Sequence, residues 1–500
     1  MTSTPAADPA PHPAGDLPAL LPDDTTAVLE LAGKAAAAYV GALAEEPAAP
    51  RRSDEDEWSA ALARFGGPLP RRGVGALAAV REIAEHALPE AIRSSGPRYF
   101  HFVTGGTTPA ALGADWLTST LDQNAAAWVC SPLATEVETV ALSWLKELFG
   151  LPPQWGAVTT TGGTMANFTG LAAARRWWAR RHGVDVDTDG LTGLPAMPVF
   201  AGGFAHASIG KSLGMLGLGR SALTRFTADG TGRIDLPALR AALEELDHAP
   251  AVLVATAGEP DAGRFDPIAE LADLAAEFGA WLHVDGAFGL FAALDERTAH
   301  LVEGVERADS VTVDGHKWLN VPFDTGFSFV RDATLLRPVF TNQAAYLVDV
   351  DDPHLNYANL GPDNSRRARG LAVWASLAAY GRDGYRQLVS RGVSVAAGFA
   401  ERVRQDPDLE LLAPAQLNAV CFRVRPRGAP ESGLDALNRR LAEELLLDGR
   451  VHLGATTFDG RAALRPVFAN WRTSPRDAEL ILEVLRDLRD RLDQERGGQR

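Results

Sequence analysis

The sequence predicts an α/β protein: a large domain with a mainly parallel sheet between helices, a helical segment before it, and a small C-terminal α+β domain. Three observations predict this. From about residue 98, short β-branched runs alternate with helical stretches, which calls for right-handed crossovers and a sheet covered on both faces. After about residue 375 the alternation gives way to helices mixed with short strands of antiparallel type. Before residue 98, Ala-rich helical patterns stand alone.

In chain order, residues 1–22 are rich in Pro and Ala and read as a disordered leader. They lack the basic start and continuous apolar core of a secretory signal. Residues 23–97 hold two helices, TAVLELAGKAAAAYVGALAE and GVGALAAVREIAEHALPEAIR, around the polar stretch EEPAAPRRSDEDE. Their few large side chains suggest packing against something larger, such as another subunit. Residues 98–375 form the large domain, with the helix TEVETVALSWLKELFG, strands WGAVTTT, MPVFAGG, AVLVATAG, WLHVDGAFG and ADSVTVDG, and helices between them such as PIAELADLAAEFGA. Residues 376–500 make the small domain, with strands LELLAP, NAVCFRVRP, VHLGATT and ALRPVFANW among three helices.

Composition excludes several classes of function. A formal net charge of −16 without a basic stripe opposes nucleic-acid and anionic-membrane binding. No apolar run reaches the ~18 residues of a membrane span. Cys130 and Cys421 form no ligand or disulfide spacing, so a reducing, cytoplasmic setting is expected.

Lysine is nearly absent. Among 48 basic residues only Lys34, Lys146, Lys211 and Lys317 are lysines. Arginine serves solubility equally well but cannot become an amine nucleophile, so a lysine retained at a strand end is notable. Lys317 stands there, in DSVTVDGHKWLNV, where an apolar crevice favours the amine. In WLHVDGAFG, period two puts His283, Asp285 and Ala287 on one face, and a carboxylate at an apolar strand end wants a cationic partner. In TTTGGTMAN, Gly162-Gly163-Thr164 joins a strand to a helix N-terminus, which reads either as a plain tight turn or as an anion site. It lacks the pattern of a nucleoside-triphosphate loop, and no helical metal-ligand spacing accompanies His283, Asp285 or His316. One ligand bearing a phosphate, a cationic ring nitrogen and an aldehyde answers all three sites, and pyridoxal 5'-phosphate is such a ligand.

With GPRYFHF, SPLATEVETVALSWL, AHASIGKSLGMLG and SRRARGLAVW added, the chain from about residue 25 to 490 resembles the group II pyridoxal-phosphate-dependent amino-acid decarboxylases. These include the aromatic-amino-acid, glutamate and diaminobutyrate decarboxylases. The resemblance implies fold type I with a seven-stranded sheet, and a homodimer with active sites shared across its interface. It makes Lys317 the lysine bonded to the cofactor, Asp285 the partner of its ring nitrogen, Ala287 the residue under the ring and His206 the one stacked over it. Gly163, Thr164 and Ser310 would hold the phosphate, with His316 nearby. Tyr346, 29 residues after Lys317, matches the loop tyrosine that returns a proton to the substrate carbon. Lys211 falls outside the motif and reads as structural.

The sequence also departs from the family pattern. Asp314-Gly315 replaces the commoner Asn-Pro before His-Lys, Glu259-Pro260 stands where Thr is frequent, Ala372 replaces a frequent lysine, and Gly105-Gly106 replaces larger pocket residues. The expected reaction is decarboxylation of an aromatic or other bulky L-amino acid. The alternatives are an aldehyde synthase, a decarboxylase of an acidic or diamino acid, and a non-catalytic binding subunit; Arg366, Arg367 and Arg369 read first as a helix-start salt-bridge cluster, and second as groups to meet an acidic side chain.

Overall fold

The computed structural model describes residues 21–228, 232–341 and 353–498. Its chain divides into two compact units, Met1–Ala42 with Ser59–Ala91, and Leu43–Trp58 with Ile92–Arg500. The smaller unit holds the helices Thr25–Ala42 and Ala76–Glu82. None of the 18 residues of Thr25–Ala42 is buried, the outcome of a helix whose side chains are mostly too small to build a core of their own.

The expected N-terminal segment 23–97 is therefore not one piece. Residues 43–58 belong to the larger unit because their backbone is paired there: Ala49 N–H donates to Gly449 O at 3.0 Å and Arg52 N–H to Leu447 O at 2.8 Å. The boundary expected at 375/376 falls inside the helix Gly370–Gln405, which bends at Gly381, where φ is 60°.

The principal sheet has seven strands: β1 (Gly156–Thr160), β2 (Val199–Ala201), β3 (Leu223–Arg225), β4 (Val252–Thr256), β5 (Trp281–Asp285), β6 (Ser310–Asp314) and β7 (Gly326–Val330). Their order is β1-β7-β6-β5-β4-β2-β3. β7 runs antiparallel to β1 and β6, and the other neighbours are parallel. β4, β5 and β6 are buried along their whole length, as expected of strands covered by helices on both faces.

The helix Pro132–Phe149 shows how the cover forms. Ser131 accepts the Ala134 N–H at 3.2 Å, Pro132 opens the first turn, and Gly150 closes the helix at φ 70°. Leu142, Leu145, Leu148 and Phe149 are buried, each contributing about 1.5–3 kcal/mol.

The second sheet, β8 (Leu409–Leu411), β9 (Phe422–Val424), β10 (Ala455–Phe458) and β11 (Arg461–Leu464), is antiparallel in the order β10-β11-β9-β8. Its lobe is tied to the chain after β6 through Asn320, whose Nδ2 donates to Ala469 O at 3.0 Å. Among the described residues, no helix is long and apolar enough to cross a membrane.

Candidate active site

Four strands of the large sheet bring chemistry to one side. β1 leads through Gly162 into the helix Gly163–Arg181, while β4 ends at Thr256, β5 at Asp285 and β6 at Asp314. Register places Thr256 opposite Asp285 and Asp285 opposite Thr312. A cavity of about 650 Å³ opens there, and Gly163, Thr164, His206, Asp285, Ala287 and Lys317 line it. Carboxyl ends of parallel strands are where such sheets gather ligands.

Close packing dictates the glycine turn. Gly162 has φ 144°, and a Cβ on it would stand 3.2 Å from His316 Cε1. A Cβ on Gly163 would stand 2.9 Å from Asp314 Oδ2. The Gly163 N–H already donates to that carboxylate at 3.1 Å.

Asp285 is 5% exposed, and both of its oxygens are engaged. Oδ2 accepts from Asn167 Nδ2 at 2.9 Å, and Oδ1 accepts the Ala287 N–H at 3.2 Å. Lys317 follows the turn in which Gly315 N–H donates to Thr325 O at 2.8 Å. Its Nζ lies 3.9 Å from Asp314 Oδ2 and 5.4 Å from the centre of the Phe288 ring. His316 Nδ1 is 3.0 Å from Asp314 Oδ1, and its ring stacks on Phe323 at 4.1 Å. His206 caps the helix Ala207–Met215, its Nδ1 accepting the Ser208 N–H at 3.2 Å. Burial lowers the pKa of His206 from its ordinary value; Asp285 opposes that shift, Lys317 reinforces it and Asp314 opposes it.

Ser310 corrects the sequence reading. It stands at the start of β6, four residues and therefore about 13 Å from the strand end that meets the cavity. Its buried Oγ accepts from Trp281 Nε1 at 3.0 Å and meets His283 Nδ1 at 2.8 Å. No phosphate contact is open to it. Tyr346 lies outside the described residues.

Two of the departures from the family pattern, Gly105 and Glu259, find local explanations. Gly105 N–H donates to His316 O at 3.1 Å, and a Cβ at Gly105 would stand 1.8 Å from Lys317 O, so this glycine is demanded by backbone packing against the lysine. Glu259 binds its own turn, accepting from Asp261 N–H at 2.6 Å, Ala262 N–H at 2.8 Å and Arg264 Nε at 2.9 Å. Arg366, Arg367 and Arg369 pair with Glu138, Asp115 and Asp324 at 2.7, 2.8 and 3.1 Å. Lys211 lines a hollow with Arg220 and Arg225 that shares Thr164, His206 and Ser208 with the cavity, and Lys317 does not line it.

Sequence reasoning missed Asn167, Thr256, Asp314 and Arg465 as site residues; all four line the cavity. Asn167 was legible, since it follows Gly163 by four residues and shares its helix face. Asp314 was read only as a departure from the family pattern before His316-Lys317. Arg465 comes from the chain just after β11, and no local pattern marks it.

A family model, the pyridoxal-dependent decarboxylase conserved domain, matches residues 76–425. The chain belongs to the pyridoxal-dependent decarboxylase family. It is 34% identical over 424 residues to L-2,4-diaminobutyrate decarboxylase of Rhizobium meliloti (strain 1021), covering 84% of this chain and 83% of that one. It is 29% identical over 399 residues to aromatic-L-amino-acid decarboxylase of Bacillus atrophaeus, covering 78% and 81%. Among solved structures, Oryza sativa TDC with PLP and tryptamine superimposes with a TM-score of 0.84 at 26% identity, covering 95% and 98%. The protein is a pyridoxal-phosphate-dependent amino-acid decarboxylase with the fold type I architecture of its relatives.

The residues present fit that cofactor. This decarboxylase places a lysine amine, a buried carboxylate, an imidazole and a glycine turn around one cavity. Thr256 Oγ1, on the cavity wall, is buried and has no hydrogen-bond partner among the described residues, an orphan that a bound polar ligand would satisfy.

Proposed function

We propose that this decarboxylase converts a bulky aromatic L-amino acid to its amine and carbon dioxide, as a homodimer. The observation that carries the substrate reading is the wall around Lys317, built from Tyr99, Phe102, Val103, Pro260, Phe288 and Phe323. The carboxylates among the described lining residues are Asp285 and Asp314, and both already accept hydrogen bonds. A diamino acid would bring a second ammonium to a wall whose one carboxylate oxygen left without a hydrogen bond among the described residues, Asp314 Oδ1, is buried 3.0 Å from His316 Nδ1, at a cost of desolvation. Arg465 supplies a guanidinium for the carboxylate that every amino-acid substrate carries.

Lys317 would hold the cofactor's aldehyde carbon, Asp285 its ring nitrogen, Ala287 and His206 its two faces, and Gly163 and Thr164 its phosphate, with His316 beside them. Bound there, pyridoxal phosphate supplies the sink for the electron pair left when carbon dioxide departs. Asp285 holds a proton on the ring nitrogen, with its oxygens fixed by Asn167 and Ala287. His206 restricts the poses available to the substrate, so that less orientational freedom is lost at the moment of reaction. Tyr346 is assigned the return of a proton to Cα.

The homodimer is supported by exposed apolar surface. In the smaller unit the helix Thr25–Ala42 buries none of its residues. In the larger unit Trp116, Leu117, Val129 and Leu133 are exposed by 44%, 64%, 64% and 54%. Sedimentation should show a dimer that Leu117→Asp weakens; a monomeric wild type contradicts the proposal.

The test of function is a screen of the common L-amino acids for carbon dioxide release with added pyridoxal phosphate. Release from aromatic acids, with the amine as product and none from Lys317→Arg, is expected. Release only from diaminobutyrate or glutamate would refute the substrate reading. Aldehyde, ammonia and peroxide as products would identify the synthase instead.

A further inference from the structure

From the cavity wall inward runs a chain of polar groups, of which the proposed chemistry uses only His206, Asp285 and Asn167. Trp281 Nε1 lies 3.0 Å from Ser310 Oγ, which lies 2.8 Å from His283 Nδ1. His283 Nε2 lies 2.9 Å from Asn167 Oδ1. Asn167 Nδ2 reaches both Asp285 Oδ2 at 2.9 Å and Ser208 Oγ at 3.1 Å, and Ser208 Oγ lies 2.7 Å from His206 Nδ1. Trp281, Ser310, His283 and Asn167 are each 2% exposed or less, and Ser208 is 6% exposed. Gly170 makes room for the chain, since a Cβ there would stand 3.0 Å from His283 Cε1.

Its direction is determined at both ends. An indole N–H can only donate, so Ser310 accepts from Trp281 and is free to donate to His283 Nδ1. An ionised Asp285 can only accept, so the Asn167 amide must turn its NH₂ to Asp285 and its oxygen to His283. The His283 proton is then on Nε2. The second N–H of the Asn167 amide goes to Ser208 Oγ, whose own hydrogen goes to His206 Nδ1. That same Nδ1 also faces the Ser208 backbone N–H at 3.2 Å and so has to present a lone pair.

We propose that these are positioning residues with two tasks: Ser208 holds His206 as the neutral ring with its one proton on Nε2, and Trp281, Ser310 and His283 hold the Asn167 amide that orients Asp285. Burial agrees with a neutral His283, whose pKa is lowered to about 4. A neutral His206 with Nδ1 doubly occupied offers the cavity a hydrogen-bond donor at Nε2 and no basic nitrogen. It can hold a substrate or cofactor oxygen, and it cannot take a proton from the substrate. The catalytic meaning of this chain rests on the decarboxylase reading, but the proton positions do not.

Neutron diffraction from deuterium-exchanged crystals of the pyridoxal-phosphate-loaded protein tests it. Deuterium is expected on Nε2 of both His206 and His283, and on neither Nδ1. Deuterium on Nδ1 of His206 would overturn the proposal, even in a protein that releases carbon dioxide as expected. Asn167→Ala tests direction: with its acceptor gone, the His283 proton should move in part to Nδ1 and donate to Ser310, while His206 stays unchanged. A His283 proton that remains wholly on Nε2 in that variant would show that Asn167 does not set the direction. Weakening of pyridoxal phosphate binding by about tenfold in the same variant, read from cofactor absorbance, is the expected cost of one lost hydrogen bond to the Asp285 carboxylate. Unchanged binding would contradict its role in orienting Asp285.

Discussion

At the residue scale, Asp314 is the side chain whose charge opposes the ligand most directly. Its Oδ2 takes the Gly163 N–H, so a phosphate bound at the turn shares its donors with a carboxylate. Two like charges a few ångströms apart repel even with the screening typical of proteins. Lys317 at 3.9 Å offsets part of this. Asp314→Asn should therefore tighten pyridoxal phosphate binding by about tenfold, roughly 1.4 kcal/mol, in an absorbance titration. Weaker binding would mean that the carboxylate aids the cofactor by ordering the turn. That Lys317 and Asp285 share one cavity was legible in the sequence because each is costly at an apolar strand end. Ser310 was misread because motif matching counts neighbours along the chain. The two ends of a five-residue strand face different surroundings, and only one end of β6 meets the cavity.

At the element scale, the helix Gly163–Arg181 carries both the glycine turn and Asn167, so its seating sets the site. Gly170, near its middle, is buried against His283. Gly170→Ala gains about 1 kcal/mol of helix propensity. Against that, a methyl group 3.0 Å from the His283 ring and 3.2 Å from Ser310 Cβ overpacks a full site, typically at about 1–3 kcal/mol. The variant should melt lower than wild type; a higher melting temperature would mean that the ring yields freely. Five strands of the large sheet were read from β-branched runs, and β3 and β7 were not. β3 spans three residues, two of them exposed, and carries too little pattern to register. β7, Gly326–Val330, is fully buried, but its antiparallel pairing to β1 and β6 lies outside a strand-helix alternation. A buried pair behind β1, Arg366 to Glu138 at 2.7 Å, was anticipated only as a salt-bridge cluster; its depth, with both side chains at most 1% exposed, follows from packing that no local window contains.

At the scale of the whole molecule, the buried imidazole of His283 and the half-buried one of His452 make stability depend on pH. Desolvation lowers each pKa to about 4, from 6.5. As pH falls from about 6.5 towards 4, the unfolded chain takes up protons that the folded chain refuses, and stability is lost through that window. For fully buried His283 the loss is at most roughly 3 kcal/mol. His452 stacks on Tyr99 with ring centres 5.0 Å apart, so His452→Phe keeps the packing and removes the titration. Its urea midpoint should fall less steeply between pH 6.5 and 4 than that of wild type; equal slopes would contradict the assignment. The N-terminal segment shows what sequence texture cannot convey at this scale. Residues 43–58 look like a linker between helices, yet their backbone pairs with the chain around residue 449. The fold class and the strand ends that carry chemistry were legible, whereas contributions from distant chain, such as Arg465, were not.

Lys317, alone among the four lysines, is proposed to meet the cofactor aldehyde. Reduction of the pyridoxal-phosphate-loaded protein with borohydride, followed by digestion and mass spectrometry, tests this directly. The pyridoxyl mass should appear on the peptide that contains Lys317. Its appearance on Lys34, Lys146 or Lys211 instead, or on no lysine at all, would contradict the account.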